Sequence, residues 1–465
     1  MADGTALDGY WLPQLAGRAL EVRERAFGPA HVAVRVPDLT PRTLRELLQN
    51  IRGQARILAQ RPLEEIITAI DGVARRIGSG GDPLHRELLG ALPGLTGYSQ
   101  RMIEIGLERM AEGWRAEALR SALAGEFGSV GVLDRFEPKA AGGLERAFGP
   151  ELTVHVFSGN IPGVAVSSLV RALCVKSGSF GKTAVGEPYL AVCFARALAE
   201  DDPELANSLA VTYWPGGSED LEQVAFSEAD AVIVYGSDET ISDVSRRVPP
   251  ATRLLAYPNR VSAALIARSA LDRDGTESLA RGLALDVVTF DQQGCVSPHI
   301  VYVERGGERS PLEFGRLVGA ILEEYAVEVP RGVLTPGEST LIHQLRAQAE
   351  IRGAEVLASQ PGTEWTVIVE ERPEFEPSPL NRVIQVRAVD DLTAALRALQ
   401  RVGRHLQTVA IAAAPERLEE LAGRLGSIGA TRLAAVGHAA WPTPHWHHDG
   451  RFQYLDLVRF VDLEA

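Results

Sequence analysis

The segment Phe290-Asp-Gln-Gln-Gly-Cys-Val-Ser-Pro-His299 places one cysteine between a glycine and a Val-Ser-Pro turn, with polar side chains before it and a histidine after. A thiolate is a strong nucleophile, and a turn lets the backbone present it to a substrate, so Cys295 is the candidate for covalent chemistry. The alternative is a small, inert buried thiol. Cys174, in Ala-Leu-Cys-Val, and Cys193, in Ala-Val-Cys-Phe, sit in apolar runs and read as that second kind.

Two turns could serve an anion or an oxyanion. Val156-Phe-Ser-Gly-Asn-Ile-Pro-Gly163 follows an apolar strand and precedes a helix. Ser158 and Gly159 allow close approach of a ligand, and Asn160 offers an amide to a developing oxyanion; serine and asparagine at such a place also serve as helix caps. Ala231-Val-Ile-Val-Tyr-Gly-Ser-Asp-Glu-Thr240 runs from an apolar strand into Gly236 and Ser237 at a helix start, a terminus whose N–H groups suit a phosphate. No Gly-x-Gly-x-x-Gly fingerprint accompanies either turn.

Positive charge in this chain is carried by arginine: of the 47 basic residues, lysine occurs only at Lys139, Lys176 and Lys182, leaving 44 arginines. Lys182, among turn formers in Phe180-Gly-Lys-Thr-Ala-Val-Gly-Glu-Pro188, reads either as a compact point charge for a phosphate or ribose or as a solvated loop lysine. His438, His445, His447 and His448 gather near Trp441 and Trp446, with no zinc-binding spacing, so no metal site is expected.

The elements that must position these residues follow from periodicity. From Pro41 to Arg120 apolar residues recur every three or four positions, as in Leu44, Leu47, Leu48 and Ile51, which predicts amphipathic helices broken by the glycine-rich Ile77 to Pro83. From Leu152 short apolar strands alternate with helices, through Thr153–Phe157, Leu209–Tyr213, Ala231–Tyr235, Arg253–Ala256 and Ala263–Ile266. A second such series follows, with strands His299–Val303, Thr366–Glu370 and Val383–Val386. Alternation of this kind predicts α/β architecture with parallel sheets, and the proline-dense Glu371 to Pro379 predicts a loop.

A chain of 465 residues predicts two to three domains, and 45% hydrophobic with 23% charged residues is globular composition. The net charge of -14 argues against a broad nucleic-acid or anionic-membrane footprint. No apolar run is long enough to span a bilayer, and the N-terminal Met-Ala-Asp-Gly-Thr-Ala-Leu-Asp has no secretory pattern. Three cysteines build no disulfide framework, so a reducing cytoplasm is expected.

In order along the chain, Ser158-Gly-Asn-Ile-Pro-Gly163, Lys182-Thr183 with Gly186-Glu-Pro188, Tyr213-Trp-Pro-Gly-Gly217, Tyr235-Gly-Ser-Asp-Glu239, Asn259-Arg-Val-Ser262, Asp291-Gln-Gln-Gly-Cys-Val-Ser-Pro-His299 and Ser378-Pro-Leu-Asn-Arg382 resemble the acyl-CoA reductase family typified by the fatty-acid reductase component of bacterial bioluminescence, within the aldehyde dehydrogenase superfamily. A thinner thread continues through His448-Asp-Gly-Arg451 and Asp456-Leu-Val-Arg459. The resemblance implies an aldehyde dehydrogenase-like α/β fold with two Rossmann-like parallel-sheet domains and a C-terminal oligomerisation segment. It divides the chain into a helical region over 1–150 packing on the nucleotide domain, a nicotinamide-nucleotide-binding domain over 151–290, a catalytic domain over 291–435, and a segment over 436–465 returning to the nucleotide domain or a subunit interface.

The resemblance further implies that Cys295 accepts the acyl group and Asn160 stabilises the oxyanion. Ser158, Gly159, Lys182, Gly216, Gly236 and Ser237 then bind the nucleotide. Ordinary aldehyde dehydrogenases carry a general-base glutamate in Glu-Leu-Gly-Gly; here the comparable stretch is Tyr257-Pro-Asn-Arg-Val-Ser262, without that base. An acyl-cysteine with no base to hydrolyse it survives for hydride chemistry. The expected reaction is NAD(P)H-dependent reduction of acyl-CoA or another acyl thioester to an aldehyde, with NADPH favoured and NADH possible, because Val185 stands where a ribose-binding carboxylate would. An acyl-transferring protein partner and a homodimer or homotetramer are further expectations. The alternatives are an acylating aldehyde dehydrogenase, a carrier-protein acyl reductase, and a nucleotide-binding or partner-docking protein without turnover.

Overall fold

The computed structural model describes residues 6–464; residues 1–5, at the start of the stretch read as lacking a secretory leader, and residue 465 lie outside it. The chain forms two compact units, one made of the residues up to Pro258 together with those from Arg451 on, the other of Asn259–Gly450.

The first unit is built on a five-stranded parallel sheet of β1 (Leu152–Val156), β2 (Gly178–Lys182), β3 (Leu209–Thr212), β4 (Ala231–Tyr235) and β5 (Arg253–Tyr257), in the spatial order β5-β4-β1-β2-β3. β1, β3 and β4 are buried along their whole length, as strands covered on both faces must be. The chain lays β2 and β3 to one side of β1 and then returns to place β4 on the other, so the order reverses between β1 and β4. In open α/β sheets a ligand crevice opens outside the carboxyl ends of the strands at such a reversal.

Five helices precede the sheet: Pro41–Leu58, Leu63–Ile77, Pro83–Thr96, Gln100–Glu112 and Ala116–Phe127. Thr40 caps the first, accepting the Thr43 N–H at 3.1 Å with Pro41 behind it. Leu44, Leu47, Leu48 and Ile51 bury the inner stripe of that helix in one core with Leu152, Val154, Phe180 and Val232 of the sheet. The Ile77–Pro83 break falls between two helices, where Asp82 caps the second through the Leu84 N–H.

The first 150 residues are not helical throughout. Val22–Phe27 and Val32–Pro37 pair as an antiparallel hairpin, and Leu144–Phe148 pairs antiparallel with the late strand Arg459–Leu463. These short, half-exposed strands carry no helical period and too few apolar residues to announce themselves.

The second unit holds a seven-stranded sheet of β6 (Val261–Ile266), β7 (Pro298–Glu304), β8 (Glu355–Ala358), β9 (Thr366–Glu370), β10 (Val383–Val389), β11 (Leu406–Ala412) and β12 (Arg432–Ala435), ordered β8-β9-β10-β7-β6-β11-β12. All neighbours are parallel except β8 and β9. Ile300, Tyr302, Val409 and Ile411 form its core with Leu392, Leu396 and Leu399. β6 belongs here and not with the first sheet, so the units part at Pro258/Asn259 and not at 290/291. Alternating strands and helices read the same on both sides of such a junction, because the sequence pattern does not say which sheet a strand joins.

Candidate active site

In the first unit every residue expected to meet a nucleotide stands just past the carboxyl end of a strand. Ser158, Gly159 and Asn160 follow β1, Lys182 ends β2, Gly216 lies in the loop after β3, and Gly236 and Ser237 follow β4. The helix after β1, Val164–Cys174, is capped by Gly163 in the left-handed conformation with φ 94°. Neither Ser158 nor Asn160 is spent as its cap. The Asn160 carbonyl is fixed by the Tyr98 hydroxyl, which donates to it at 2.6 Å.

Gly159 touches the loop after β2: a Cβ there would lie 2.8 Å from the Gly186 Cα, and one on Gly186 would lie 2.7 Å from the Gly159 oxygen. The two glycines let the β1 and β2 loops meet backbone to backbone. The next residue, Glu187, is buried and accepts the Tyr189 and Leu190 N–H groups, both at 2.7 Å, so its carboxylate caps the helix Leu190–Asp201. Val185 is exposed and no carboxylate takes its place.

The Lys182 carbonyl accepts the Phe157 N–H at 3.0 Å, while its ammonium has no ion-pair or hydrogen-bond partner among the described residues. Burial holds its pKa below the usual lysine value, with Glu222 offsetting part of the shift. An unpaired, partly desolvated cation at the strand ends fits the oxygen-rich sugar and phosphate groups of a nicotinamide nucleotide. A Cβ on Gly216 would meet nothing within 4 Å. Ser237 caps the helix Asp238–Arg247 by accepting the Thr240 N–H at 3.2 Å. This set therefore fits the nucleotide that the resemblance implies.

In the second unit the candidate nucleophile lies at the amino end of a strand. Cys295 precedes β7 and is half-buried, whereas Cys174 and Cys193 are buried outright. Burial pushes the Cys295 thiol up to about 11, the Asp449 carboxylate adds to the rise, and the Gln407 side chain and Arg260 pull the other way. The Cys295 carbonyl accepts the Ser262 hydroxyl at 2.6 Å, and Ser262 Oγ in turn accepts the Thr408 N–H at 3.1 Å. The register of β6 against both neighbours shifts at Ser262, the kind of irregularity that re-aims a side chain.

The loop that presents Cys295 is unusual in its backbone. Phe290, Asp291 and Gln292 all have positive φ, and so do Leu380, Asn381 and Arg382. The two left-handed triplets dock on each other. The Asn381 N–H donates to the Asp291 carbonyl at 2.9 Å, Arg382 Nε donates to Asp291 Oδ1 at 2.7 Å, and Gln292 exchanges two hydrogen bonds of 3.0 Å with the Val383 backbone. Non-glycine residues hold such conformations only where the surroundings over-determine them.

The stretch that lacks the general-base glutamate contributes Arg260 instead, whose Nε lies 3.3 Å from Asp449 Oδ2. Asp449 also accepts the Gln407 amide at 2.6 Å. Asp449 thus takes one hydrogen bond at Oδ1 and an ion pair at Oδ2. Asp449, Gln407, Arg260 and the Asp291–Arg382 pair are the residues that sequence reasoning assigned no role. Four of them lie inside strings that carry the resemblance; Gln407, a polar residue near the start of a largely apolar strand, is the signal in the sequence that points to it. The tryptophan and histidine segment holds no metal cluster among the described residues. Asp286 anchors it by accepting the Gly437, Ala439 and Ala440 N–H groups, and Trp446 stacks on His448 at 4.6 Å between centroids.

Comparison with known proteins bears on the fold and the family. The chain is similar over its whole length to solved aldehyde dehydrogenases. The aldehyde dehydrogenase 21 of Physcomitrella patens is 15% identical, with a TM-score of 0.74 over 99% of this chain and 98% of that one. A putative methylmalonate-semialdehyde dehydrogenase from Sinorhizobium meliloti, complexed with NAD, is 13% identical with a TM-score of 0.76 over 100% and 98%. These likenesses establish the aldehyde dehydrogenase-like fold. Among curated proteins, the long-chain acyl-protein thioester reductase of Aliivibrio fischeri is 27% identical over 86% of this chain and 82% of its own, and that of Vibrio harveyi 26% identical over 79% and 76%. Residues 58–460 match the acyl-CoA reductase (LuxC) family, and the chain therefore belongs to that family of oxidoreductases, which reduce an acyl thioester to an aldehyde.

Proposed function

We propose that this enzyme works through a covalent acyl-cysteine on Cys295, with a long-chain acyl thioester as substrate and NADPH as reductant. The observation that carries the reading is the lack of a glutamate in the Tyr257–Ser262 stretch, where Arg260 stands paired with Asp449 instead, so that stretch supplies no general base to activate water. Hydrolysis of an acyl-cysteine needs that activation.

Cys295 Sγ attacks the acyl carbon, forming a carbon–sulfur bond, and the carbonyl oxygen becomes an oxyanion. From its place in the Ser158–Gly163 string, Asn160 is assigned to hold that oxyanion together with a backbone N–H. The oxyanion collapses, the bond to the leaving sulfur breaks, and the thiol proton of Cys295 ends on the departing thiolate. Reduced nicotinamide, when bound, supplies a hydride to the acyl carbon. The bond to Cys295 then breaks, the aldehyde leaves, and the sulfur regains a proton.

NADPH is favoured over NADH because Glu187 is spent as a helix cap and Val185 offers no carboxylate to repel a 2′-phosphate. The acyl-protein reductase relatives support an acyl-transferring protein as the donor, with acyl-CoA as the simpler one. Three unpaired cysteines support a reducing cytoplasm. No helix is long and apolar enough to cross a membrane. The outer edge of strand Arg459–Leu463, with Phe460 and Leu463 exposed, supports self-association.

Mass spectrometry of the enzyme mixed with long-chain acyl-CoA and no reductant tests the reading. The expected result is an acyl adduct on Cys295 that NADPH discharges as aldehyde; an unmodified Cys295 overturns it.

A further inference from the structure

The helix that runs into the cysteine loop, Thr276–Val288, carries a fully buried carboxylate, Asp286, on its last turn. That placement is doubly costly, since the C-terminal end of a helix disfavours negative charge and burial strips the group of water. Three N–H groups of one segment offset the cost: Gly437 donates to Asp286 Oδ2 at 2.7 Å, and Ala439 and Ala440 donate to Oδ1 at 2.9 and 3.2 Å. Arg432 holds the same segment by its carbonyls, donating to His438 at 2.7 Å and Ala439 at 2.6 Å. Two glycines let the segment lie directly on the helix. A Cβ on Gly437, whose φ is 90°, would stand 2.9 Å from the Cα of Gly282, which shares the helix face of Asp286 one turn earlier. The next residue brings the segment back to the loop: the Trp441 ring packs on Phe290 with centroids 5.6 Å apart. Phe290 is buried, opens the left-handed triplet and stands five residues before Cys295. Neither Asp286 nor Trp441 takes part in the acyl-transfer scheme.

We propose that Asp286 and Trp441 are positioning residues for the nucleophile: Asp286 seats the Gly437–Ala440 segment on the helix, and Trp441 then holds Phe290 so that the loop presents Cys295 in one orientation. This rests on Cys295 being the acyl acceptor and names what keeps its loop in place. A left-handed phenylalanine persists only where its surroundings over-determine it. The hydrogen bonds from Asn381 and Arg382 fix Asp291, the residue that follows, and leave Phe290 to its ring contact.

The test is the rate of iodoacetamide alkylation at Cys295, located by peptide mass mapping on the full chain without substrate. Asp286→Asn keeps the shape of the side chain but turns an NH2 group toward N–H donors, and Trp441→Ala removes the ring. Each is expected to let the loop open and to raise the Cys295 rate about tenfold. The double variant is expected to be no faster than either single one, because both act through one contact. Trp441→Phe keeps a ring on Phe290 and should return the wild-type rate, a rescue that a general loss of stability would not give. In aldehyde formation, Asp286→Asn and Trp441→Ala are expected to lower kcat about tenfold with KM little changed. Unchanged alkylation in both single variants, or rates that multiply in the double variant, overturn the proposal. If Asp286→Asn loses its far-UV circular dichroism, Trp441 decides alone: a fast Ala variant beside a slow Phe variant supports the proposal, and equal rates overturn it. Because alkylation needs no acyl donor, this result is independent of whether Cys295 is the acyl acceptor, which the adduct experiment on the wild-type enzyme decides separately.

Discussion

Asp291 and Arg382 lie ninety-one positions apart in the chain, yet their side chains meet at 2.7 Å with both backbones in the left-handed conformation, and both are almost wholly buried. Asp291 Oδ2 also accepts the Gly332 N–H at 2.9 Å. The cysteine loop is therefore clamped from its far side by a buried charge pair.

Arg382→Gln should expose that clamp. Removing one partner of a buried pair leaves an uncompensated charge and costs about 3–5 kcal/mol. The check is urea unfolding, with Cys295 alkylation as a second readout. A loss under about 1 kcal/mol would show that the clamp is not what holds the loop.

Gly159→Ala puts a Cβ 2.8 Å from backbone at Gly186, where no side chain can swing away. The β1 and β2 loops must part, at a cost of about 1–3 kcal/mol. NADPH affinity, followed by nucleotide fluorescence, should fall with stability, whereas acylation of Cys295 in the absence of reductant should persist.

Lys182→Ala removes the unpaired ammonium at the end of β2. About tenfold weaker NADPH binding is expected, equivalent to about 1.4 kcal/mol, and Lys182→Arg should rescue it poorly because a planar fork replaces a point charge. An unchanged dissociation constant would remove Lys182 from the nucleotide site.

Two buried histidines set the acid limit of stability. Burial pushes His155 down to about 3 and His299 down to about 4, the latter with its Nδ1 accepting the Ser378 N–H at 3.2 Å. An unfolded imidazole titrates near about 6.5, so below that pH the unfolded chain binds protons that the folded chain refuses. Stability is full above pH 6.5 and declines as pH falls toward 4, with each histidine contributing up to about 1.4 kcal/mol per pH unit. His299→Gln keeps an acceptor for Ser378 and should flatten this decline between pH 7 and 5 in urea titrations.

Much of this architecture was legible in the sequence, and for identifiable reasons. The stripe Leu44, Leu47, Leu48 and Ile51 has the helical period, and the buried strands Ala231–Tyr235 and Thr366–Glu370 are unbroken apolar runs; each announces itself locally. Cys295 stood out because its neighbours are turn formers, unlike those of Cys174 and Cys193. What could not be read is long-range. Nothing near Asp291 says that residue 382 will close on it, nothing near Cys295 names Gln407 or Asp449, and nothing in Ala263–Ile266 says which sheet receives it. Strands β8, β11 and β12 went unread because β8 and β12 are half-exposed edge strands without a clean alternation and the polar Gln407 and Thr408 interrupt the apolar run of β11.

The pairing of Arg459–Leu463 with Leu144–Phe148 bears on how the molecule comes into being. Residues 259–450 form a self-contained unit that can consolidate as it leaves the ribosome, but the unit begun first must wait for a strand made more than three hundred residues later. Its completion is a slow, non-local closure. During that interval the Leu144–Phe148 edge stands unpaired and open to other strands, so a nascent chain cut short after Gly450 should be prone to aggregate although it already carries every residue assigned to catalysis.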